Sequence, residues 1–151
     1  MKNIMKIIYQ RWKMDKKRIL SKFVEIDSYL EELDEIKPLE FEDYEGSILN
    51  KRSIERILQI SIEVVLDICN LLVSDLNLGI PADEDSVFDK LRKKKIISKK
   101  LYDILIEMKG FRNVLVHKYG AIEDEKVFEV LTDKLDDFQI FKEEILKFVN
   151  K

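Results

Sequence analysis

Residues 53–72 read SIERILQISIEVVLDICNLL, twenty positions without a glycine or a proline. Ile54, Ile57, Leu58, Val64, Val65, Ile68, Leu71 and Leu72 recur at steps of three and four, the period of a helix with one buried side rather than the alternation of a strand. The pattern predicts one long helix from about Tyr44 to Ser74, and LNLGIPADED (76–85) then gathers Asn, Gly, Pro and Asp where a helix must stop. The same helix carries a second series. Arg52, Arg56, Gln59, Glu63, Asp67 and Asn70 share one narrow polar stripe, flanked by apolar Ile62, Leu66, Cys69 and Val73. A surface helix ordinarily has a broad polar face. A narrow one either lines a cleft or interface or is simply the wet side, and Arg52, Arg56, Asp67 and Asn70 are candidates for a cleft wall.

Outward from that helix the punctuation is equally regular. Ile19, Leu20, Phe23, Ile26, Leu30 and Leu33 give a first helix from Asp15 to about Glu35, which Pro38 forbids from continuing. A short helix follows Asp85 through Val87, Phe88 and Leu91. Ser98 caps another, with a stripe at Leu101, Ile104, Leu105, Met108, Phe111 and Leu115 and with Gly120 where a left-handed residue closes helices. The last helix runs from about Asp124 to Phe148 on Val127, Leu131, Leu135, Phe138, Phe141, Ile145 and Phe148, acidic early and basic late as the macrodipole prefers. The expected fold is all-α, an up-and-down bundle of four to five helices. Because DKKRIL after Met14 is already a good helix opening, residues 1–13 read as an N-terminal extension before a single domain at 14–151. That extension is either an unconventional translation start or an arm that packs through Ile4, Ile7, Ile8 and Trp12.

Composition narrows the function. The chain has 151 residues, 46% apolar and 38% charged, which suits one folded domain rather than a disordered chain. One cysteine, Cys69, and one histidine, His117, exclude an internal disulfide and any ordinary zinc ligand set within a monomer, and no metal or cofactor is implied. No run approaches the ~18 apolar residues of a membrane span, and charges interrupt what would be a signal core, so a cytoplasmic protein with no membrane partner is expected. A net charge of -3 offers no global attraction to nucleic acid. The local exception is KLRKKKIISKK (90–100), where Lys93, Lys94 and Lys95 are candidate RNA contacts on what is otherwise a solvated helix end.

The histidine stands in FRNVLVHKYG (111–120). On an ideal helix Asn113 and His117 share a face, while Arg112 lies about 140° round from His117. Guanidinium and imidazole can still converge on an external anion of phosphate size across the last turn. The helix end favours a protonated imidazole, which suits a general acid; the plainer role is a cap on the last carbonyls.

RNVLVHKYG resembles the RNxxVHxY motif of the HEPN superfamily, in particular its HepT-like branch, and MDKKRIL, SIERILQISIEVVLDICNLL and HKYGAIEDEKVFEVL resemble that branch in order, over roughly residues 14–148. The resemblance implies a bundle that dimerises through its long helices around a shared cleft, and a metal-independent endoribonuclease toxin whose antitoxin is an MntA-like nucleotidyltransferase. It places catalysis on Arg112, Asn113 and His117, and makes Tyr119 the tyrosine that the partner silences with AMP, as in a type VII-like toxin–antitoxin system. The chemistry is independently reasonable. RNA carries its own 2'-hydroxyl nucleophile, so proton transfer and charge stabilisation are what the protein must supply. Acid and base must differ within one turnover, and a dimer would bring a second His117. The alternative is a catalytically silent helical partner that docks a nucleotidyltransferase and presents Tyr119 to it.

Overall fold

A computed structural model of the chain describes residues 4–6, 14–117 and 122–151, and the described residues are helical with no strand. Helix α1 (Lys16–Ile36) begins because the Asp15 carboxylate accepts the Arg18 N–H at 3.0 Å. It ends at Lys37 in the extended conformation that a residue before proline prefers (φ -64°, ψ 128°).

The periodic run from Tyr44 is two helices, where one was expected. α2 (Phe41–Glu45) and α3 (Ile48–Asp75) are separated by Gly46 and Ser47, whose hydroxyl accepts the Asn50 N–H at 3.3 Å to start α3. The physical reason lies in where the rings go. Phe41 packs edge-on and Tyr44 at a tilt against Phe128, at centroid distances of 5.6 and 6.1 Å, a direction that a straight continuation of α3 would not serve. α3 itself is long and apolar enough, by length and composition, to cross a membrane. Here it is the core of the bundle, with twelve buried residues from Ile54 to Val73. Each fully buried aliphatic chain there contributes about 1.5–3 kcal/mol. α1 lies antiparallel to it, since Asp15 N–H meets Asp75 Oδ2 at 3.2 Å and Lys22 meets Asp67 at 3.5 Å.

Asn77, with φ 51°, closes α3: Leu78 N–H returns to Val73 O and Asn77 N–H to Ser74 O, a Schellman turn. α4 (Glu84–Lys93) then starts under the Asp83 cap, and α5 (Lys99–Val116) under Ser98, whose hydroxyl accepts the Leu101 N–H at 3.1 Å. Ser98 also donates its N–H and hydroxyl to Glu144, at 2.8 and 2.7 Å, pinning the start of α5 to the last helix.

That last helix is also broken, into α6 (Asp124–Asp133) and α7 (Asp136–Val149), although no glycine or proline marks the place. Thr132 donates its hydroxyl back to Phe128 O at 2.9 Å, a contact that bends helices, and Lys134 is drawn aside to Glu107 at 3.2 Å. Asp136 and Asp137 then fall in the first turn of α7, where carboxylates are favoured. The break changes the phase: Val149 is buried, whereas Phe148 is only half-buried against the core. Among the extension residues, Ile4 and Met5 are helical and exposed, so Ile4 does not pack as an arm would require; Ile7, Ile8 and Trp12 lie outside the described residues.

Candidate functional site

The stripe of α5 seats it firmly, with Leu101, Ile104, Leu105, Met108, Phe111 and Leu115 all buried. The helix ends one turn earlier than Gly120 would place it. His117 is its cap, exposed, with φ -97° and ψ 63°, and its backbone N–H returns to Asn113 O at 2.9 Å. Asn113 and His117 thus stand one helical turn apart at the end of α5, linked through the backbone. Tyr119 and Gly120 lie outside the described residues.

Arg112 turns toward α4. Its Nε donates to Asn113 Oδ1 at 3.0 Å, and its Nη2 donates to the Glu84 carboxylate. The side chain is only 17% exposed, so the guanidinium is held in a part-buried frame from both sides. One turn back, Lys109 bonds the Asp85 carboxylate in the same way. Glu84 and Asp85 occupy the first turn of α4, where the helix's own N–H groups already favour negative charge. Sequence reading missed both acids. ADED reads as punctuation and as a helix start, and only the antiparallel packing of α4 on α5 gives those carboxylates their cationic partners.

The polar stripe of α3 is dispersed rather than gathered. Arg52, Arg56, Asp67 and Asn70 are exposed, and Arg52 and Asn70 stand eighteen positions apart, about 27 Å along the axis, so the stripe runs most of the length of α3. Arg52 Nη1 bonds Glu55, itself buried, at 2.6 Å. Asp67 instead faces Lys22 of α1, and Asn70 bonds its own helix at Leu66 O. Near Arg52, Lys51 meets Asp124 at 3.1 Å, so the first turn of α3 adjoins the start of α6, the helix that follows the motif.

The basic run also divides. Lys93 pairs with Asp89 at 2.7 Å, Lys94 caps α4, and Lys95 lines an open groove with residues of α5 and α7. Elsewhere, a cavity of about 140 Å³ is floored by Ile62, Met108, Phe111, Val130 and Phe138, with Glu107, Lys126, Lys134 and Asp137 among its lining. Burial raises the Asp137 carboxyl above its usual range, partly offset by Lys134. The Glu107 and Phe111 side of α5 that faces this cavity is the flank opposite Lys109 and Arg112. Among the described residues, no three His, Cys, Asp or Glu side chains gather into a metal-holding group.

Comparison with known proteins gives this geometry a context. A family model described as HepT-like ribonuclease matches residues 26–145. The tRNA nuclease HepT of Aphanizomenon flos-aquae is 27% identical over 124 residues, 82% of this chain and 84% of that protein. The mRNA nuclease HepT of Shewanella oneidensis is 34% identical over 84 residues, 56% and 63% of the two. Among solved structures, the tri-AMPylated Shewanella oneidensis HEPN toxin in complex with MNT antitoxin superposes with a TM-score of 0.79 at 26% identity, covering 85% of this chain and 96% of that one.

Proposed function

Because the chain belongs to the HepT-like ribonuclease family, we propose that it is a metal-independent endoribonuclease toxin, working in the cytosol and restrained by a nucleotidyltransferase antitoxin. The observation that carries the reading is the part-buried Arg112 guanidinium, fixed by Asn113 and Glu84 beside the exposed His117 at the end of α5. Two of its five N–H groups are engaged there, which fixes the orientation of the guanidinium plane that would meet a phosphate.

In the proposed reaction the RNA 2'-hydroxyl gives its proton to one His117 and its oxygen attacks the adjacent phosphorus. Arg112 stabilises the extra negative charge on the phosphorane, with Asn113 orienting the guanidinium and the phosphate. The bond from phosphorus to the 5'-oxygen breaks, and that oxygen takes a proton from a second, protonated imidazole. The products are a 2',3'-cyclic phosphate and a 5'-hydroxyl end, so atoms balance without water or a metal ion. One histidine per chain makes the second imidazole that of a homodimer partner. Exposed Val114, within the motif on α5, offers apolar surface for such pairing.

Tyr119 follows His117 by two residues. AMP attached to its phenol would put a phosphate where RNA phosphate must lie, and the toxin would be blocked by occupancy and like-charge repulsion. The AMPylated toxin held by its antitoxin in the structurally similar Shewanella complex supports this control. The same complex keeps a second reading in play, in which the chain only docks the nucleotidyltransferase.

The deciding experiment digests cellular RNA in EDTA with the purified protein and with His117→Ala, reading product ends and intact mass. Cleavage by the wild type alone, leaving cyclic phosphate, is expected. Cleavage by both refutes the assignment of His117, and an inactive wild type without AMP on Tyr119 favours docking.

A further inference from the structure

At the far end of α5 from the motif, the chain builds a groove of about 580 Å³ from three elements. Arg92 and Lys95 come from the end of α4, Lys99 from the start of α5, and Lys147 and Lys151 from the end of α7. Glu144, the one acid in the lining, is already committed to the N–H and hydroxyl of Ser98. Lys99 is paired with Asp103 at 3.0 Å, which leaves Arg92, Lys95, Lys147 and Lys151 around the engaged Glu144, in a chain whose net charge is -3.

Lys95 gives a second, independent observation. It closes α4 in a Schellman turn, with Ile96 N–H returning to Leu91 O at 3.0 Å and Lys95 N–H to Arg92 O at 2.9 Å. Its φ is 59°, the left-handed conformation in which a side chain is strained and glycine is the usual occupant. The equivalent turn after α3 uses Asn77, which tolerates that conformation well. A lysine at this point gives up stability and keeps a positive charge at the lip of the groove, and strain of this kind is often retained where a side chain has work to do.

The groove is in line with the motif. Arg112, Lys109 and Tyr102 are three and seven positions apart on one face of α5, and Arg92 lies over the Tyr102 ring, 5.1 Å from its centroid. The eighteen residues of α5 separate the two ends by about 27 Å. An A-form RNA stem of that length would span the two ends.

We propose that the groove of Arg92, Lys95, Lys99, Lys147 and Lys151 anchors the phosphate backbone of the RNA substrate, holding a structured RNA along α5 so that a distant loop or end reaches His117. The anchor rests on RNA being the substrate. It also reconciles an acidic protein with a polyanionic one, because affinity comes from a local contact rather than from net charge.

The test measures binding separately from cleavage. Fluorescence anisotropy of a labelled hairpin RNA with a stem of this length is followed against salt, all proteins carrying His117→Ala to prevent turnover. Lys95→Glu, Lys147→Glu and Lys151→Glu combined are expected to weaken binding at least about tenfold at 0.1 M salt and to flatten the slope of log affinity against log salt by about 2. Lys95→Gly alone is expected to weaken binding while raising Tm by about 2–4 °C, a combination that a purely structural lysine would not give. With His117 restored, the triple variant is expected to lose activity on the hairpin through KM and to cleave a trinucleotide, too short to reach the groove, as well as the wild type. Hairpin affinity and salt slope unchanged in the triple variant would overturn the anchor even if cleavage is confirmed. A binding loss in a protein that cleaves nothing would support the anchor and refute the nuclease.

Discussion

Tyr44→Phe should make the protein more stable, against the usual direction of core substitutions. Tyr44 is 0% exposed, and its hydroxyl has no hydrogen-bond partner among the described residues. Burying such a group unbonded costs about 1–3 kcal/mol, because water satisfied it in the unfolded chain. The substitution keeps the ring, and with it the 6.1 Å packing on Phe128. A gain of about 1–2 kcal/mol follows, or about 2–8 °C in Tm for a domain of this size. Thermal melts at one fixed protein concentration read it, with urea melts checking that the m-value is unchanged. Alkaline pH supplies a second readout. Burial first, then the charges of Glu55 and Asp124, push the Tyr44 phenol well above its ordinary value. A folded pKa above the unfolded one means that stability is intact below about pH 10 and falls as pH rises further, at up to about 1.4 kcal/mol per unit. The buried Cys69 thiol, also pushed up by burial, adds the same kind of loss to both proteins and cancels. The variant's advantage should therefore widen above pH 10. A variant that melts more than about 2 °C below the wild type, with a gap that stays constant at high pH, would show that the hydroxyl is bonded and the reasoning wrong.

Three further outcomes follow from the motif helix and its neighbours. Glu84→Gln keeps the shape of the residue that holds Arg112 but removes its charge, and kcat on RNA should fall about tenfold, worth about 1.4 kcal/mol of barrier, with KM and Tm little changed; equal kcat would show that Glu84 does not position the arginine. Gly110 is exposed in mid-α5 and an added Cβ would meet nothing within 4 Å, so Gly110→Ala should stabilise the isolated chain by about 0.5–1 kcal/mol. Because Gly110 shares a helix face with Val114 and His117, the same variant should weaken self-association in analytical ultracentrifugation, and an unaltered dimer constant would exclude that face as the seam. Asp137→Asn should raise stability at neutral pH and lose its advantage as pH falls toward 4, since a carboxyl whose folded pKa is raised by burial is stabilised relative to the unfolded chain only when protonated; urea melts at pH 7 and pH 4 would expose the opposite trend.

The candidate site was legible to different depths. His117, Asn113 and Arg112 could be placed from spacing, because neighbours on one helix are related by a fixed rotation and rise. For the α3 stripe, periodicity shows that Arg52, Arg56, Asp67 and Asn70 share a direction but not what each meets: Asp67 faces Lys22 of α1, and Arg52 bonds Glu55 of its own helix. Glu84 was invisible, being twenty-eight positions from Arg112 and joined to it only by packing. The helix breaks divided likewise. Gly46 and Ser47 had a recognisable cap chemistry at the start of α3, whereas the turn at Lys134 carries no such mark and depends on Thr132 and on Glu107 of another helix.

The sequence by itself determined the helical class, the caps at Asp15 and Ser98, the buried faces and the residues of the motif, because each depends on interactions within a few positions along one helix. The tertiary structure decided what those residues face. It set Arg112 between Asn113 and Glu84, turned Asp67 of the polar stripe to Lys22 of α1, and folded the end of α7 back beside Lys95 and Lys99 to make a groove from three separate cationic segments. Charges and hydrogen-bonding groups act over a few ångströms, and only the packed chain brings remote positions within that range.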